Sequence, residues 1–328
     1  MQTFPVILGP TACGKTAVAA RLACELGGEV ISADSRQVYR GMDIGSGKDL
    51  SDYIVEGRSI PYHLIDIAEP GYEYNIFEYQ RDFAKVLSDI ISRGRLPVLC
   101  GGSGMYLEAV LKGYSLPEAP SDPSFSLRMQ AMDDAALLHE LGKLKKLHGT
   151  TDTVDRSRML RALEIELKRR DMGTPDFGCR MSDVRYSPSR IPHPASNIPH
   201  PTSNIQHPIL FGINPGRGIV RQRITARLKV RLESGMIGEV RTLLSKGIPP
   251  ERLKAYGLEY KYITLYLGGE LSYDEMFRLL NTAIHQFAKR QMTWFRRMER
   301  QGMKIHWIEG EMVTEEKVRR LRMILQSI

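Results

Sequence analysis

The sequence predicts an α/β fold, a parallel sheet flanked by helices and carrying a helical insertion domain. Two observations predict it. Over residues 1–115 short apolar runs alternate with longer helical periods, the pattern of strands joined by crossover helices. In addition, Gly9-Pro10-Thr11-Ala12-Cys13-Gly14-Lys15-Thr16 fits G-x-x-x-x-G-K-[ST] between an apolar run and a helix-compatible stretch, the context in which that pattern carries meaning.

Phe4 to Leu8 reads as the first strand. In the loop that follows, glycines let backbone N–H groups turn toward one anion, and the helix N-terminus adds its positive dipole end. Lys15 supplies a point charge and Thr16 a hydroxyl for Mg2+. The loop is P-loop NTPase-like: it cradles phosphate without naming a reaction. Glu29 to Ala33 reads as the second strand and runs into Asp34-Ser35-Arg36-Gln37. Strand C-termini beside a phosphate loop build the active site of an open α/β sheet, so Asp34 is a candidate general base. Helix capping, or holding Mg2+ through water, is an equal reading of Asp34 on this ground alone. His63 to Ile67 reads as a third strand and Leu96 to Cys100 as a fourth, running into Gly101–Gly104. That glycine cluster is a tight turn or a close backbone approach to a ligand. No carboxylate ends the fourth strand, where an ATPase carries one; Asp66 is the alternative carrier, so nucleotide hydrolysis is disfavoured.

Phe125 to Arg170 is helical by spacing and reads as an insertion. Between Asp171 and Pro208, Ile191-Pro192-His193-Pro194-Ala195-Ser196-Asn197 is nearly repeated by Ile198-Pro199-His200-Pro201-Thr202-Ser203-Asn204. Frequent proline blocks helix and central strand, so an extended loop is expected, and duplication accounts for its histidines better than metal binding does. Ile209 to Ile213 reads as one more strand, and from Arg217 onward the pattern is helical, with an apolar stripe of Ile224, Leu228, Leu232, Ile237, Val240 and Leu244. Arg221, Arg223, Arg227, Lys229 and Arg231 crowd the first half of that stripe, where cations oppose the helix dipole and an anion would neutralise them. The expected division is a first part of the core at 1–115, the insertion at 116–208 with its Pro/His-rich loop at 186–208, and a return to the core with basic C-terminal helices at 209–328.

With 328 residues, 42% hydrophobic and 26% charged, the chain suits one or two globular domains. Lys and Arg number 46 against 38 Asp and Glu, and the formal charge of +8 favours a polyanionic partner. Cys13, Cys24, Cys100 and Cys179 form no C-x-x-C pair, so neither a zinc site nor a disulfide framework is expected, and a reducing cytoplasm fits. No apolar run approaches the length of a membrane span, and no membrane association is expected. Ala255–Tyr260 and His285–Arg297 mix cations with aromatic rings, which suits phosphates and unstacked bases of RNA; an amphipathic helix with a solvated basic face is the competing reading.

Together, the phosphate loop, Asp34-Ser35-Arg36-Gln37-Val38-Tyr39, Gly41-Met42-Asp43-Ile44-Gly45, Gly101-Gly102-Ser103-Gly104, Arg161-Ala162-Leu163-Glu164 and Ala288-Lys289-Arg290-Gln291-Met292-Thr293-Trp294 resemble the tRNA dimethylallyltransferase family in order and over nearly the whole chain. Eukaryotic members carry a C-terminal zinc finger; with no cysteine after Cys179, the chain looks like the bacterial form. The resemblance implies transfer of the dimethylallyl group of dimethylallyl diphosphate to N6 of adenine 37 in the tRNA anticodon loop, on a base flipped into a channel. It implies that Asp34 takes the N6 proton and that Lys15, Thr16, the loop amides and Mg2+ stabilise the leaving diphosphate, with Thr11 and Arg223 beside it. It further implies tRNA contacts at Asp34, Ser35, Arg36, Gln37, Ser103, Ser157, Arg158, Arg161, Tyr256, Gly257, Tyr260, Gln286, Lys289 and Arg290, and a monomer is the expected state. The chain departs from the family at Cys13, where serine is frequent, at Ser103, where threonine is frequent, and at Ser157, where glutamine is. A thiol at a helix N-terminus beside Lys15 is expected to be acidified and reactive. A phosphate-loop kinase, an isopentenyltransferase acting on free adenine nucleotides and an RNA-binding protein with a relic loop are the alternatives.

Overall fold

A computed structural model describes residues 3–113, 124–125, 129, 132–144, 156–171 and 208–327. Met1–Tyr114 with Pro199–Ile328 form one compact unit, and Ser115–Ile198 form another. In the first, β1 (Pro5–Leu8) leads through the phosphate loop into α1 (Lys15–Leu26), then β2 (Gly28–Ala33), the short hairpin β3 (Ile54–Val55) and β4 (Arg58–Ser59), and β5 (Tyr62–His63). Next come α2 (Ile76–Ser92), β6 (Leu96–Gly101) and α3 (Gly104–Lys112). The second unit contributes α4 (Asp134–Leu144) and α5 (Arg156–Asp171), whose Leu137, Leu141 and Leu163 pack with Phe125. The chain re-enters the first unit at β7 (Ile209–Asn214), followed by α6 (Arg217–Glu233), α7 (Met236–Ser245), α8 (Pro250–Tyr256), α9 (Leu258–Leu267), α10 (Tyr273–Arg300), β8 (Ile305–Glu309) and α11 (Thr314–Gln326).

The main sheet has the order β5-β2-β6-β1-β7-β8, every pair parallel. All residues of β1 and β2 are buried, as both faces of a parallel sheet require. Side chains alternate between two cores. Ile7, Val30, Val98 and Phe211 meet Val18 and Leu22 of α1 and Val318 and Leu321 of α11. Val6, Leu8, Ile31 and Leu99 meet Tyr79, Phe83 and Leu87 of α2 and Phe295 and Met298 of α10. A third core joins α6 to α10, where Ile224, Leu228, Leu232 and Val240 are buried and Ile237 and Leu244 partly so; the stripe is broken into two helices at Gly235, whose φ is 101°.

The strand expected at His63 to Ile67 is instead Tyr62–His63. Leu64 and Asp66 have φ of 62° and 56°, outside any strand, and Ile67 and Ala68 both donate to the Val38 carbonyl. The edge strand β8 and the β3–β4 hairpin were not expected from the sequence. No helix among the described residues is long and apolar enough to cross a membrane. The proline–histidine repeat at 191–204 lies outside the described residues.

Candidate active site

β1, β2 and β6 end side by side, so the phosphate loop, Asp34 and the glycine turn share one edge of the sheet. Within the phosphate loop Ala12 (φ 61°) and Gly14 (φ 82°) adopt left-handed backbone, which bends the chain over the start of α1. Thr11, Lys15, Thr16, Asp34 and Gln37 line one pocket, together with Arg227 of α6 and Gln291 of α10. Asp34 Oδ1 accepts the Arg36 N–H at 3.0 Å. Its Oδ2 has no hydrogen-bond partner among the described residues, and a proton acceptor needs such an open oxygen. The Arg36 guanidinium donates to Glu259 at 2.6 Å and lies 5.4 Å over the Phe287 ring, so it is held by protein on two sides. Ser103 Oγ accepts the Ser35 N–H at 3.1 Å, and Gln37 accepts from Ser32 at 3.0 Å and donates to the Gly47 carbonyl at 3.0 Å.

Arg227 is paired with a second cation, Arg231. Arg231 donates to Asp49 at 2.9 Å, while Arg227 stands 3.8 Å from the same carboxylate. Burial, and then the Arg231 charge, lower the pKa of the Arg227 guanidinium, as expected for a cation short of a counter-anion. Cys100 is the penultimate residue of β6, near where an ATPase carries its carboxylate, and burial pushes its thiol up to about 12, so it is neutral there. Asp66 does not replace the missing carboxylate: it is tied to the buried Lys48 ammonium, which also donates to Tyr39 O at 2.6 Å and Asp43 at 2.7 Å. Among the described residues no cluster of three His, Cys, Asp or Glu is placed to hold a metal ion. The pocket offers the Thr16 hydroxyl and the Asp34 carboxylate, a donor set that fits Mg2+ drawing most of its ligands from phosphate and water.

Several expectations change. Arg223 is exposed and does not line the pocket; it lies near the buried Lys317, whose pKa is lowered by burial and by the Arg223 charge. Cys13 is fully buried and its sulfur would meet a Cβ at Gly9 at 2.7 Å, so the thiol faces the core and is closed to reagents, contrary to the reactive cysteine expected. Protein neighbours crowd the glycine turn: a Cβ at Gly101 would come 2.2 Å from the Ala33 carbonyl, and one at Gly104 2.4 Å from the Trp294 ring. Tyr256 and Tyr260 present no free ring to a base. Both are buried; Tyr256 Oη accepts from Gly71 N at 2.5 Å, and Tyr260 Oη donates to Glu239 at 2.8 Å. Gly257 lies against Arg36, where a Cβ would come 2.9 Å from Cδ.

Gln286, Lys289 and Arg290 are exposed on α10, which also shows Thr293 and Arg296 to solvent, while Ala283, Ala288, Gln291 and Phe295 are buried. One helix thus gives a cationic face outward and a single polar side chain to the pocket. Ser157, Arg158 and Arg161 fall on α5, and their side chains lie outside the described residues.

The profile of the family described as IPP transferase matches residues 37–298, and that of Isopentenyl transferase residues 2–63. The chain belongs to the IPP transferase family. Curated relatives include tRNA dimethylallyltransferase 1 of Parabacteroides distasonis, 50% identical over 98% of this chain and 97% of its own length. Another is tRNA dimethylallyltransferase 2 of Bacteroides fragilis, 50% identical over 95% of this chain and 94% of its own. Among solved structures, the tRNA isopentenylpyrophosphate transferase of Bacillus halodurans is 28% identical with a TM-score of 0.67, covering 100% of this chain and 96% of that one. A eukaryotic dimethylallyltransferase acting on tRNA shares the fold at a TM-score of 0.71 and 20% identity, over 94% of this chain and 74% of that one.

In this IPP transferase, two pocket residues, Arg227 and Gln291, and Glu239, which does not line the pocket, hold positions that the sequence does not reveal. Arg227 was legible as a cation on a basic helix, not as the one that turns into the pocket. Gln291 lay inside the Ala288–Trp294 motif with no role attached to it. Glu239 accepts the N–H groups of Asp43, Ile44 and Gly45 at 2.8, 2.7 and 3.0 Å, and so anchors the Gly41–Gly45 motif that leads to Gly47 and Asp49. No local pattern marked it.

Proposed function

We propose that this chain transfers the dimethylallyl group from dimethylallyl diphosphate to N6 of adenine 37 in the anticodon loop of tRNAs, giving N6-isopentenyladenosine and diphosphate. One observation carries the reading beyond family membership: Asp34, with one oxygen unpartnered among the described residues, lines the same pocket as Lys15, Thr16 and Arg227, so a candidate proton acceptor and the cations for an anionic leaving group share one cavity. N6 is a weak nucleophile because its lone pair is delocalised into the ring. As the bond from N6 to the allylic carbon forms and the bond from that carbon to the diphosphate oxygen breaks, Asp34 accepts the N6 proton, a step worth roughly 10²–10⁴-fold. Lys15, Arg227 and the loop N–H groups receive the negative charge that develops on the diphosphate. Thr16 would hold Mg2+, which supplies further charge neutralisation on the diphosphate when bound. The target base reaches such a pocket only by leaving its stack, and the exposed Lys289 and Arg290 offer phosphate contacts to the anticodon loop that presents it. Monomeric action in the cytoplasm belongs to the same proposal. A kinase is not favoured, because β6 ends in Cys100-Gly101 rather than in a carboxylate.

The test is incubation of dimethylallyl diphosphate labelled in its allyl group with unmodified tRNA carrying adenine 37, with free AMP, and with ATP-dependent acceptors in parallel. Label on adenine 37 alone supports the proposal. Label on AMP, or phosphate transfer from ATP without tRNA labelling, contradicts it.

A further inference from the structure

Gln291 follows Arg290 directly on α10, yet it is buried while Lys289 and Arg290 are exposed. Its carboxamide oxygen accepts the Thr11 N–H at 2.8 Å, and its Nε2 donates to the Gly102 carbonyl at 2.9 Å. Those partners fix which end is oxygen, since a backbone N–H only donates and a carbonyl only accepts. The fit is close: a Cβ at Gly102 would come 2.5 Å from Nε2. One side chain therefore clips the phosphate loop to the glycine turn. Thr11 belongs to the wall that would hold diphosphate. Gly102 precedes Ser103, whose hydroxyl takes the Ser35 N–H beside Asp34. The separation between the leaving-group cradle and the proton acceptor is thus spanned by this carboxamide.

We infer that Gln291 is a positioning residue for the transfer, holding the phosphate loop at a fixed separation from the Gly102–Ser103 turn so that the allylic carbon and the acceptor amine meet in register. The inference rests on the function proposed above. The carboxamide touches no reacting atom; it acts through Thr11 and Gly102. Misplacement of reacting groups by about 1 Å costs on the order of 10²-fold in rate.

Two variants test it. Gln291→Glu retains the acceptor for Thr11 but turns a carboxylate oxygen on the Gly102 carbonyl; once protonated, the carboxyl has one O–H and one C=O and restores both bonds. Burial and the opposing carbonyl favour that protonation. Gln291→Met keeps the volume and loses both bonds. Single-turnover transfer to tRNA is measured for each, with tRNA affinity alongside and folding followed by circular dichroism. The expected result is a rate about 10- to 100-fold below the parent in both variants, with tRNA affinity within about twofold. The ratio of Gln291→Glu to parent rate is expected to rise from mildly alkaline to mildly acidic pH while that of Gln291→Met does not. A folded variant matching the parent rate, or a flat Gln291→Glu ratio, overturns the inference; if Gln291→Glu does not fold, the Gln291→Met rate decides alone. A parent protein that labels no tRNA overturns the proposed function and this inference together, whereas a labelling parent matched by its variants overturns the inference only.

Discussion

Asp34 owes its arrangement to one backbone bond: the Arg36 N–H occupies Oδ1 and leaves Oδ2 without a partner among the described residues, in a side chain that lines the pocket with Lys15 and Arg227. Arg36 itself is spent on Glu259 and Phe287, whereas Arg227 has Asp49 no closer than 3.8 Å and the like charge of Arg231 beside it. Arg227→Ala is therefore expected to raise KM for the allylic diphosphate by about 10- to 100-fold, the worth of roughly 1.5–3 kcal/mol for a hydrogen bond to a charged group. Initial rates with the diphosphate varied at saturating tRNA check this, and an unchanged KM would remove Arg227 from the leaving-group site. Tyr260 gives the opposite forecast. Its fully buried ring and its bond to Glu239 make it a core residue, so Tyr260→Phe should lower unfolding free energy by about 1 kcal/mol in urea titration and leave tRNA affinity unchanged. A fall in affinity without a fall in stability would restore the base-contact reading.

At the scale of elements, β2, an interior strand, carries a buried carboxylate near its start. Glu29 accepts from Arg93 and from His63, and the Arg93 hydrogen bond, against the desolvation that opposes it, holds the carboxyl at about 2. A depressed pKa gives stability that is present above the ordinary carboxylate range and lost as pH falls through it toward about 2. At about 1.36 kcal/mol per pKa unit the loss is at most roughly 3 kcal/mol, and Glu29→Gln should flatten that acid limb in urea unfolding followed from neutral to strongly acidic pH. On α10 the exposed Lys289 and Arg290 are separate charges, so Lys289→Ala and Arg290→Ala should each weaken tRNA binding and each reduce the slope of log affinity against log salt by up to about 1. An unchanged salt slope in both would turn that face away from RNA. The strands that were legible in the sequence, β1, β2, β6 and β7, are those buried on both faces, because continuous apolar runs announce themselves. β5 was overrun because Leu64 and Asp66 take left-handed backbone set by contacts with Val38 and Lys48, and β8 was missed because Ile305–Glu309 is a short edge strand between two long helices.

Across the whole chain, what was legible at the site was local. The phosphate loop and Asp34 each announce themselves within a few residues of a strand end. The clip between Thr11 and Gln291 spans 280 positions, and the bond between Arg36 and Glu259 spans 223, so only the folded chain brings them together. The same folding takes Tyr256 and Tyr260 inward, which spacing alone could not distinguish from an RNA-facing surface. The proposed reaction needs a proton acceptor and a diphosphate cradle in one pocket, and the measurement that tests this account most directly is single-turnover transfer by Asp34→Asn, with tRNA and diphosphate both saturating and their affinities measured separately. The account predicts affinities within a few-fold of the parent protein and a chemical step slowed by about 10²–10⁴-fold. A parent-like rate on a correctly labelled adenine would contradict it and move the proton acceptor elsewhere in the pocket.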